Sequence, residues 1–447
     1  MEIYMEQKNN VIWIVTDQQR AESLSINGSQ NCATPHLDGL ARTGVNFTNA
    51  VSGFPLCCPF RGSMLTGIYP HKCVPGHEYR MNPKQKTIAD IMNENGYDTF
   101  YLGKWHLDGA KEAEERAGTH IVPRQRRGGF TSWLGYENNN AQYDCYLHGH
   151  RKEKEVDLFR LPGYETNAMT DIFIEYLRER KEKEEPFFAV LSVQPPHDPY
   201  VAPANVQKNH IPSQIRFRPN VPDVPYIRDQ AGKELAGYYA MIENIDENVG
   251  RIVEVLNDTG LMESTHVMFF SDHGDMHGSH GQFRKTIPYQ EAVNVPFIIS
   301  GEKRAAHVVN RKAGNVGDIL INHVDIAPTT LGLCGIPVPE WMEGTDYSAV
   351  RILEKERPEY PESAYLQSVI PTCHDDSINK PWRGIVTKDG YKYVCFQGMD
   401  YMLYDLKQDP YEQVNLAHND HYKELRLRLK QTLKEWIDKT QDEFLLP

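Results

Sequence analysis

The sequence predicts an α/β fold with a mostly parallel central sheet flanked by helices. A smaller C-terminal α+β subdomain, with an antiparallel sheet and a closing helix, is predicted to follow it. Three observations carry this prediction. Short runs rich in β-branched and aromatic residues alternate with segments of helical periodicity over most of the chain. Four of those runs end in Asp, Lys, Gln or His, at the end of the strand where open parallel sheets hold their ligands. Beyond about residue 355 the pattern changes to short strands joined by a tight turn.

The candidate strands are residues 11–15, 98–102, 187–193, 266–270 and 296–299. Between them, residues 87–95 carry apolar Ile88, Ile91 and Met92, and residues 167–178 carry Met169, Ile172, Phe173 and Tyr176. The longest periodic stretch, 233–256, sets Leu235, Tyr239, Ile242, Ile245, Val249 and Ile252 three or four residues apart. That is the spacing of a helix with one buried face. Segments 109–135, 195–224 and 351–361 read as loops. The first is basic at Arg124, Arg126 and Arg127, a solvated trio; the second is proline-rich; the third is a linker. A domain at 1–355 and a subdomain at 356–447 follow. Within the subdomain, 384–386, 391–396 and 402–406 are short antiparallel strands, Lys388-Asp389-Gly390 is a turn, and Tyr422, Leu425, Leu429, Leu433 and Trp436 mark the closing helix.

The chain has 447 residues with 48 Lys+Arg against 61 Asp+Glu, a formal charge of −13. This surplus counts against nucleic acid and anionic membranes as partners, because both are bound through basic patches. No run approaches the ~18 apolar residues of a membrane-spanning helix. Residues 1–10 are polar and lack the apolar stretch of a secretory leader, so a cytoplasmic location is expected. The eight cysteines have no regular spacing and no CxxC pair, and read as free thiols.

The strand ends carry the chemistry. The first strand runs into Thr16-Asp17-Gln18, the second into Gly103-Lys104-Trp105-His106, the third into Gln194-Pro195-Pro196-His197 and the fourth into Ser271-Asp272-His273-Gly274. One such end is ordinary turn chemistry; four point to a shared site. Asp17, Gln18, Asp272 and His273 suit a hard divalent cation, with oxygen donors and one imidazole. The run from His273 through His277 to His280 lacks the HExxH order of zinc peptidases. Its glycines disfavour a helix that would align two histidines, so His277 and His280 read as loop hydrogen-bonding residues.

A second constellation is Cys57-Cys58-Pro59-Phe60-Arg61-Gly62-Ser63-Met64-Leu65-Thr66-Gly67. A Cys-x5-Arg phosphatase loop fails on spacing, since Ser63 and Met64 stand where the arginine is required. Cys57-x-Pro-x-Arg61 instead has the form in which cysteine is oxidised to formylglycine. The segment resembles the C-x-P-x-R-x-x-x-L-T-G signature of the type I, formylglycine-dependent sulfatases of the alkaline-phosphatase-like superfamily. The fixed positions are matched by Cys57, Pro59, Arg61, Leu65, Thr66 and Gly67. Gly103-Lys104-Trp105-His106-Leu107 resembles the family's second signature. Thr16-Asp17-Gln18 and Ser271-Asp272-His273-Gly274-Asp275 resemble its metal motifs. Lys285 with Tyr289, and Tyr404-Asp405-Leu406 with Asp409-Pro410, Glu412 and Asn415-Leu416, resemble its later motifs. Gln18 stands where many members have Asp, His273 where many have Asn, and Phe60 where a small residue is commoner.

The resemblance implies an alkaline-phosphatase-like fold and hydrolysis of a sulfate monoester through a formylglycine derived from Cys57 and a sulfo-enzyme intermediate. It implies that Asp17, Gln18, Asp272 and His273 hold Ca²⁺, with Mg²⁺ or Mn²⁺ as alternatives. Arg61 anchors the modified residue, Lys104 and Lys285 neutralise the sulfate, His106 is the base, and His197 is the acid at the leaving oxygen. A saccharide sulfate is the expected substrate, such as a 6-O-sulfated N-acetylhexosamine of glycosaminoglycan or mucin. His77, His374 and Arg383 are candidate substrate contacts, as are the segments at 138–146 and 374–383. A formylglycine-generating maturation enzyme is an implied partner. The alternatives are an aryl sulfatase, a phosphonate monoester or phosphodiester hydrolase of the same superfamily, and a catalytically silent carbohydrate-binding protein.

Overall fold

The structure, a computed structural model, describes residues 8–114, 116–301, 314–352, 355–372 and 378–447. Its strands are β1 Asn10–Thr16, β2 Val45–Phe47, β3 Asp98–Lys104, β4 Ser132–Tyr136, β5 Tyr146–Arg151, β6 Lys154–Arg160, β7 Phe187–Ser192, β8 Thr265–Ser271, β9 Phe297–Gly301, β10 Gly314–Val316, β11 Ser363–Ser368, β12 Trp382–Thr387, β13 Tyr391–Phe396 and β14 Met399–Asp405. Its α-helices are α1 Pro35–Thr43, α2 Cys57–Thr66, α3 Ile88–Glu94, α4 Glu165–Arg180, α5 Ala204–Gln207, α6 Pro225–Thr259, α7 Gln290–Val293, α8 Ile326–Leu333 and α9 Lys423–Thr440.

The large sheet has the order β10-β2-β9-β8-β1-β7-β3-β4-β5-β6. Its centre, β8-β1-β7-β3-β4, is parallel, and antiparallel strands flank it. β1 shows why both faces are covered. Val11, Trp13 and Val15 enter one hydrophobic core, while Ile12 and Ile14 enter the core on the opposite face. A strand buried on both faces reads as a continuous apolar run, which is how this one stands in the sequence.

The four strands that end in chemistry-bearing residues are neighbours, in the order β8, β1, β7, β3. Thr16 pairs with Ser271, Val15 with Ser192, and Gly103 with Ser192. Their C-terminal ends therefore open side by side. Gly103 permits the closest of these approaches. It has φ +111°, and a Cβ there would lie 2.0 Å from the Ser192 carbonyl oxygen.

The helices at 87–95, 167–178 and 233–256 exist, with shifted ends. α3 starts at a Thr87–Asp90 capping box. α6 begins at Pro225, directly after the proline-rich segment and eight residues before the predicted start at 233, because proline suits a first helical turn. It stops at Gly260, which takes the left-handed conformation. β5 and β6 escape the sequence reading, and the basic loop holds β4 at its end.

β11 to β14 form a separate antiparallel sheet. One face packs Tyr365, Ile385, Tyr393 and Leu403 against Leu429, Leu433 and Ile437 of α9. The other packs Leu366, Trp382, Val394 and Met402 toward Val51 and Leu320 of the main body. Trp382 Nε1 donates to the Thr286 carbonyl at 3.1 Å, tying this sheet to the loop that carries Lys285.

Candidate active site

Cys57 opens α2, a helix whose every residue is buried. Its Sγ lies 3.2 Å from His273 Nε2, 3.6 Å from Asp17 Oδ1 and 3.6 Å from Lys285 Nζ. Arg61, one turn later on the same helix, donates to Ser192 Oγ at 2.8 Å and the Lys104 carbonyl at 2.9 Å. It also reaches Asp17 Oδ2 at 3.1 Å and Asp272 Oδ2 at 3.4 Å. The spacing of four between Cys57 and Arg61 sets both on one side of the helix. Arg61 thus clamps the two strand-end carboxylates beneath the cysteine.

Lys104 Nζ is 2.7 Å from Asp17 Oδ2, with neither side chain exposed. Burial is the largest single influence and would lower the lysine's pKa, but Asp17 and Cys57 together outweigh it and the value rises. Asp17 moves the opposite way: burial raises its pKa, yet Lys104, His197 and Arg61 hold it well below the usual carboxylate range. Lys285 Nζ donates to Gln18 Oε1 at 2.8 Å and meets His197 Nε2 at 2.7 Å. His197 Nδ1 lies 2.8 Å from the Asp198 carbonyl oxygen. Burial first, and then Lys285, push the His197 imidazole down to about 4, so it is neutral at pH 7.

Asp17, Cys57, Asp272 and His273 offer donor atoms that all lie within 4.8 Å of one another, and all four are buried. Burial and the nearby Asp17 push the Asp272 carboxyl up to about 7. Asp17 has Lys104 and Arg61 beside it, but Asp272 reaches only the shared Arg61 of these two, at 3.4 Å, and a divalent cation among these donors would favour its ionised form. The donor set therefore fits a metal ion. Gln18 sits at the edge of this group with its Oε1 on Lys285 and its Nε2 donating to Asp275 Oδ2 at 2.6 Å.

His106 is 2 % exposed and has φ +57°. Gln18 also lies in the left-handed region, at φ +72°. Such residues cost about 1–3 kcal/mol each and persist where their surroundings impose them. For His106 the surroundings include Glu137. Its buried carboxylate accepts the N–H groups of Leu107 at 3.2 Å, Asp108 at 2.7 Å, Gly109 at 2.7 Å and Ala110 at 3.4 Å. Burial and then Asp108 push Glu137 up to about 7.

The predicted substrate contacts divide. His77 does stand at the site, its ring 5.4 Å from that of His106. His374 lies outside the described residues. Arg383 is a correction. It is 3 % exposed and donates to both oxygens of Asp442, at 2.6 and 2.9 Å, so it anchors the end of α9 to β12 and offers nothing to a ligand. The basic trio is corrected too. Arg127 is buried on His150 and Trp133, and Arg126 pairs with Asp108; only Arg124 is solvated.

Sequence reasoning missed Ser192, Asp198, Glu137 and Asp275 as supporting groups. Asp198 and Asp275 lay next to residues already singled out. Ser192 and Glu137 have no local signal and matter only through strand pairing. Beside His197, buried amides are paired within the protein: Gln142 Nε2 donates to the His197 carbonyl at 3.2 Å, and Gln194 Nε2 donates to Asn140 Oδ1 at 3.1 Å.

Known proteins share these features. The sulfatase family profile matches residues 9–336, and the profile of the C-terminal region of N-sulphoglucosamine sulphohydrolase matches residues 278–439. The chain is 33 % identical to an ulvan-active sulfatase of Formosa agariphila over 98 % of its own length and 82 % of the relative's. It is 24 % identical to an N-acetylglucosamine-6-O-sulfatase of Bacteroides thetaiotaomicron, over 97 % of the chain and 88 % of that protein. The crystal structure of a candidate sulfatase, yidJ, of Bacteroides fragilis superposes with a TM-score of 0.86 at 26 % identity, covering 99 % of this chain and 98 % of the other. The chain belongs to the sulfatase family of the alkaline-phosphatase-like superfamily and is a sulfuric ester hydrolase.

Proposed function

We propose that the protein hydrolyses the sulfate monoester of a saccharide, such as a 6-O-sulfated N-acetylhexosamine, with residue 57 acting as formylglycine and Ca²⁺ as the metal. One observation carries the reading: Cys57 Sγ sits within 3.6 Å of Asp17, His273 and Lys285, at the start of a buried helix. Formylglycine, once hydrated, supplies a hydroxyl nucleophile together with a second hydroxyl that can release sulfate, which serine lacks.

Asp17, Asp272 and His273, with the Gln18 carbonyl beside them, would hold the cation, which supplies Lewis-acid polarisation of a sulfate oxygen. The carboxylate oxygens in this donor set suit a hard ion, of which Ca²⁺ is the one proposed, with Mg²⁺ or Mn²⁺ as alternatives. Lys104 and Lys285 supply fixed positive charge where the sulfuryl oxygens gather negative charge. Lys285 and His197 share one proton across 2.7 Å, and an ester oxygen leaving at that contact receives it. Burial and Lys104 keep His106 neutral, and its unprotonated ring nitrogen is the proton acceptor. Arg61 keeps both carboxylates and Lys104 in place. The N-acetylglucosamine-6-O-sulfatase relative supports the saccharide reading.

The test combines peptide mass spectrometry with a substrate panel. Active protein co-expressed with a maturation enzyme should carry an aldehyde at residue 57 and release sulfate fastest from a sulfated N-acetylhexosamine. Full activity with unmodified Cys57 overturns the mechanism. A kcat/KM ratio favouring an aryl phosphonate overturns the substrate class.

A further inference from the structure

We propose that Cys58, His77 and His106 form a second metal site, separate from the carboxylate cluster, that takes Zn²⁺. Cys58 follows Cys57 on α2, so its thiol leaves the helix about 100° further round and faces another side. Its Sγ lies 4.0 Å from His77 Nδ1. The donor atoms of Cys58, His77 and His106 all lie within 4.8 Å of one another. Cys58 and His106 are buried and His77 is half-buried.

His106 supplies a second and independent observation. Both of its ring nitrogens lack a hydrogen-bond partner among the described residues, although the residue is 2 % exposed. A buried polar group left this way is destabilising, and the ring is held in place by a backbone that Glu137 fixes. An ion bonded to one of these nitrogens removes that cost.

The donor chemistry selects the ion. One thiol and two imidazoles, without a carboxylate among the donors, match the borderline-soft preference of Zn²⁺, whereas Asp17 and Asp272 suit a hard cation. Zinc bonds of about 2.0–2.3 Å in a tetrahedron set donors about 3.3–3.8 Å apart. The donors, all within 4.8 Å of one another, must draw in by about 1 Å to meet that geometry. His77 Nε2 already faces Glu78 Oε1 at 3.6 Å, the carboxylate–histidine arrangement that orients a metal-bound imidazole. Three protein donors leave the fourth position to water or solute. On binding, the Cys58 S–H bond breaks, its proton passes to solvent and the sulfur lone pair bonds the ion, with no change of oxidation state.

The ion would occupy His106, so on the proposed role of that residue it switches the enzyme off. Binding is read separately from that role, by spectroscopy. Co²⁺ is titrated into full-length Cys57→Ser protein with Ca²⁺ in excess, which removes the neighbouring thiol and fills the carboxylate cluster. A thiolate-to-Co²⁺ charge-transfer band should appear at one equivalent and vanish on adding Zn²⁺. The band should be absent from Cys57→Ser/Cys58→Ser, and His77→Ala should weaken binding about tenfold or more. Co²⁺ binding without the band, or a band that survives loss of Cys58, overturns the site. In matured enzyme, Zn²⁺ should cut turnover about tenfold or more, while Cys58→Ser keeps basal turnover and resists. Equal inhibition of both overturns the inhibitory role. Should Cys58→Ser not fold, Cys58→Ala takes its place in both arms.

Discussion

Buried charge is used in opposite ways in the two sheets. Around the C-terminal sheet, two buried cations each have a carboxylate of their own. Arg383 meets Asp442, which also accepts from Gln367 and Tyr365, and Lys392 meets Glu412. At the edge of the large sheet, Asp17 is shared between Arg61 and Lys104, while Lys285 spends its contacts on Gln18, His197 and Cys57. Paired charge closes a structure. Shared or surplus positive charge leaves capacity for an anion that arrives later, here a sulfate ester.

Substitutions can break this contrast. Arg383→Ala should cost about 3–5 kcal/mol of stability, since it strands a buried carboxylate, yet leave kcat/KM of the folded protein unchanged. Denaturant unfolding with parallel kinetics checks this, and a loss of kcat/KM in a stable variant would return Arg383 to the substrate. Lys104→Ala should do the reverse, lowering kcat by about 10²–10³ with modest loss of stability.

Two smaller effects sharpen the comparison. His323 is buried with no hydrogen-bond partner among the described residues for either ring nitrogen, and burial pushes it down to about 3. Its unfolded value is near ~6.5, so the unfolded chain binds the extra proton first. The stability it contributes is complete above about pH 6.5 and is lost as pH falls toward 3. His323→Phe should flatten that acid limb in thermal melts between pH 6.5 and 4. The smallest effect belongs to Lys392→Met/Glu412→Leu. Burial lowers the lysine and pushes the glutamate up to about 7, so desolvation outweighs their attraction. Replacing both should change stability by no more than about 1 kcal/mol, unlike Arg383→Ala.

The sequence made the centre of the molecule readable and left its edges dark. β1, β3, β7 and β8 are doubly covered strands with long apolar runs, and Asp, Lys, Gln or His recurs at the ends of all four. β6 is an exposed edge strand with charged residues at Lys154, Glu155, Asp157 and Arg160, so neither composition nor alternation marks it. The same division holds at the site. Asp17, Cys57, His197 and Asp272 stood in recognisable local contexts. Ser192 supports Arg61 only because β7 pairs with β3, and Glu137 supports His106 only because β4 does. Arg383 misled for the converse reason. An arginine near a suspected binding segment resembles a ligand contact until Asp442, 59 residues away, is seen to occupy it.

The burial of α2 also sets an order of events in the life of the chain. Cys57 is 2 % exposed, on a helix with no exposed residue and beneath a loop tied down by Trp382. A second protein cannot close its own catalytic groups around a side chain placed so deep. An enzyme making the proposed formylglycine would have to reach residue 57 before this stretch is buried, and docking of the C-terminal sheet would end that opportunity. On the proposed mechanism this chemistry competes with folding in time, and slowing the docking of the C-terminal sheet should raise the fraction of molecules carrying the aldehyde.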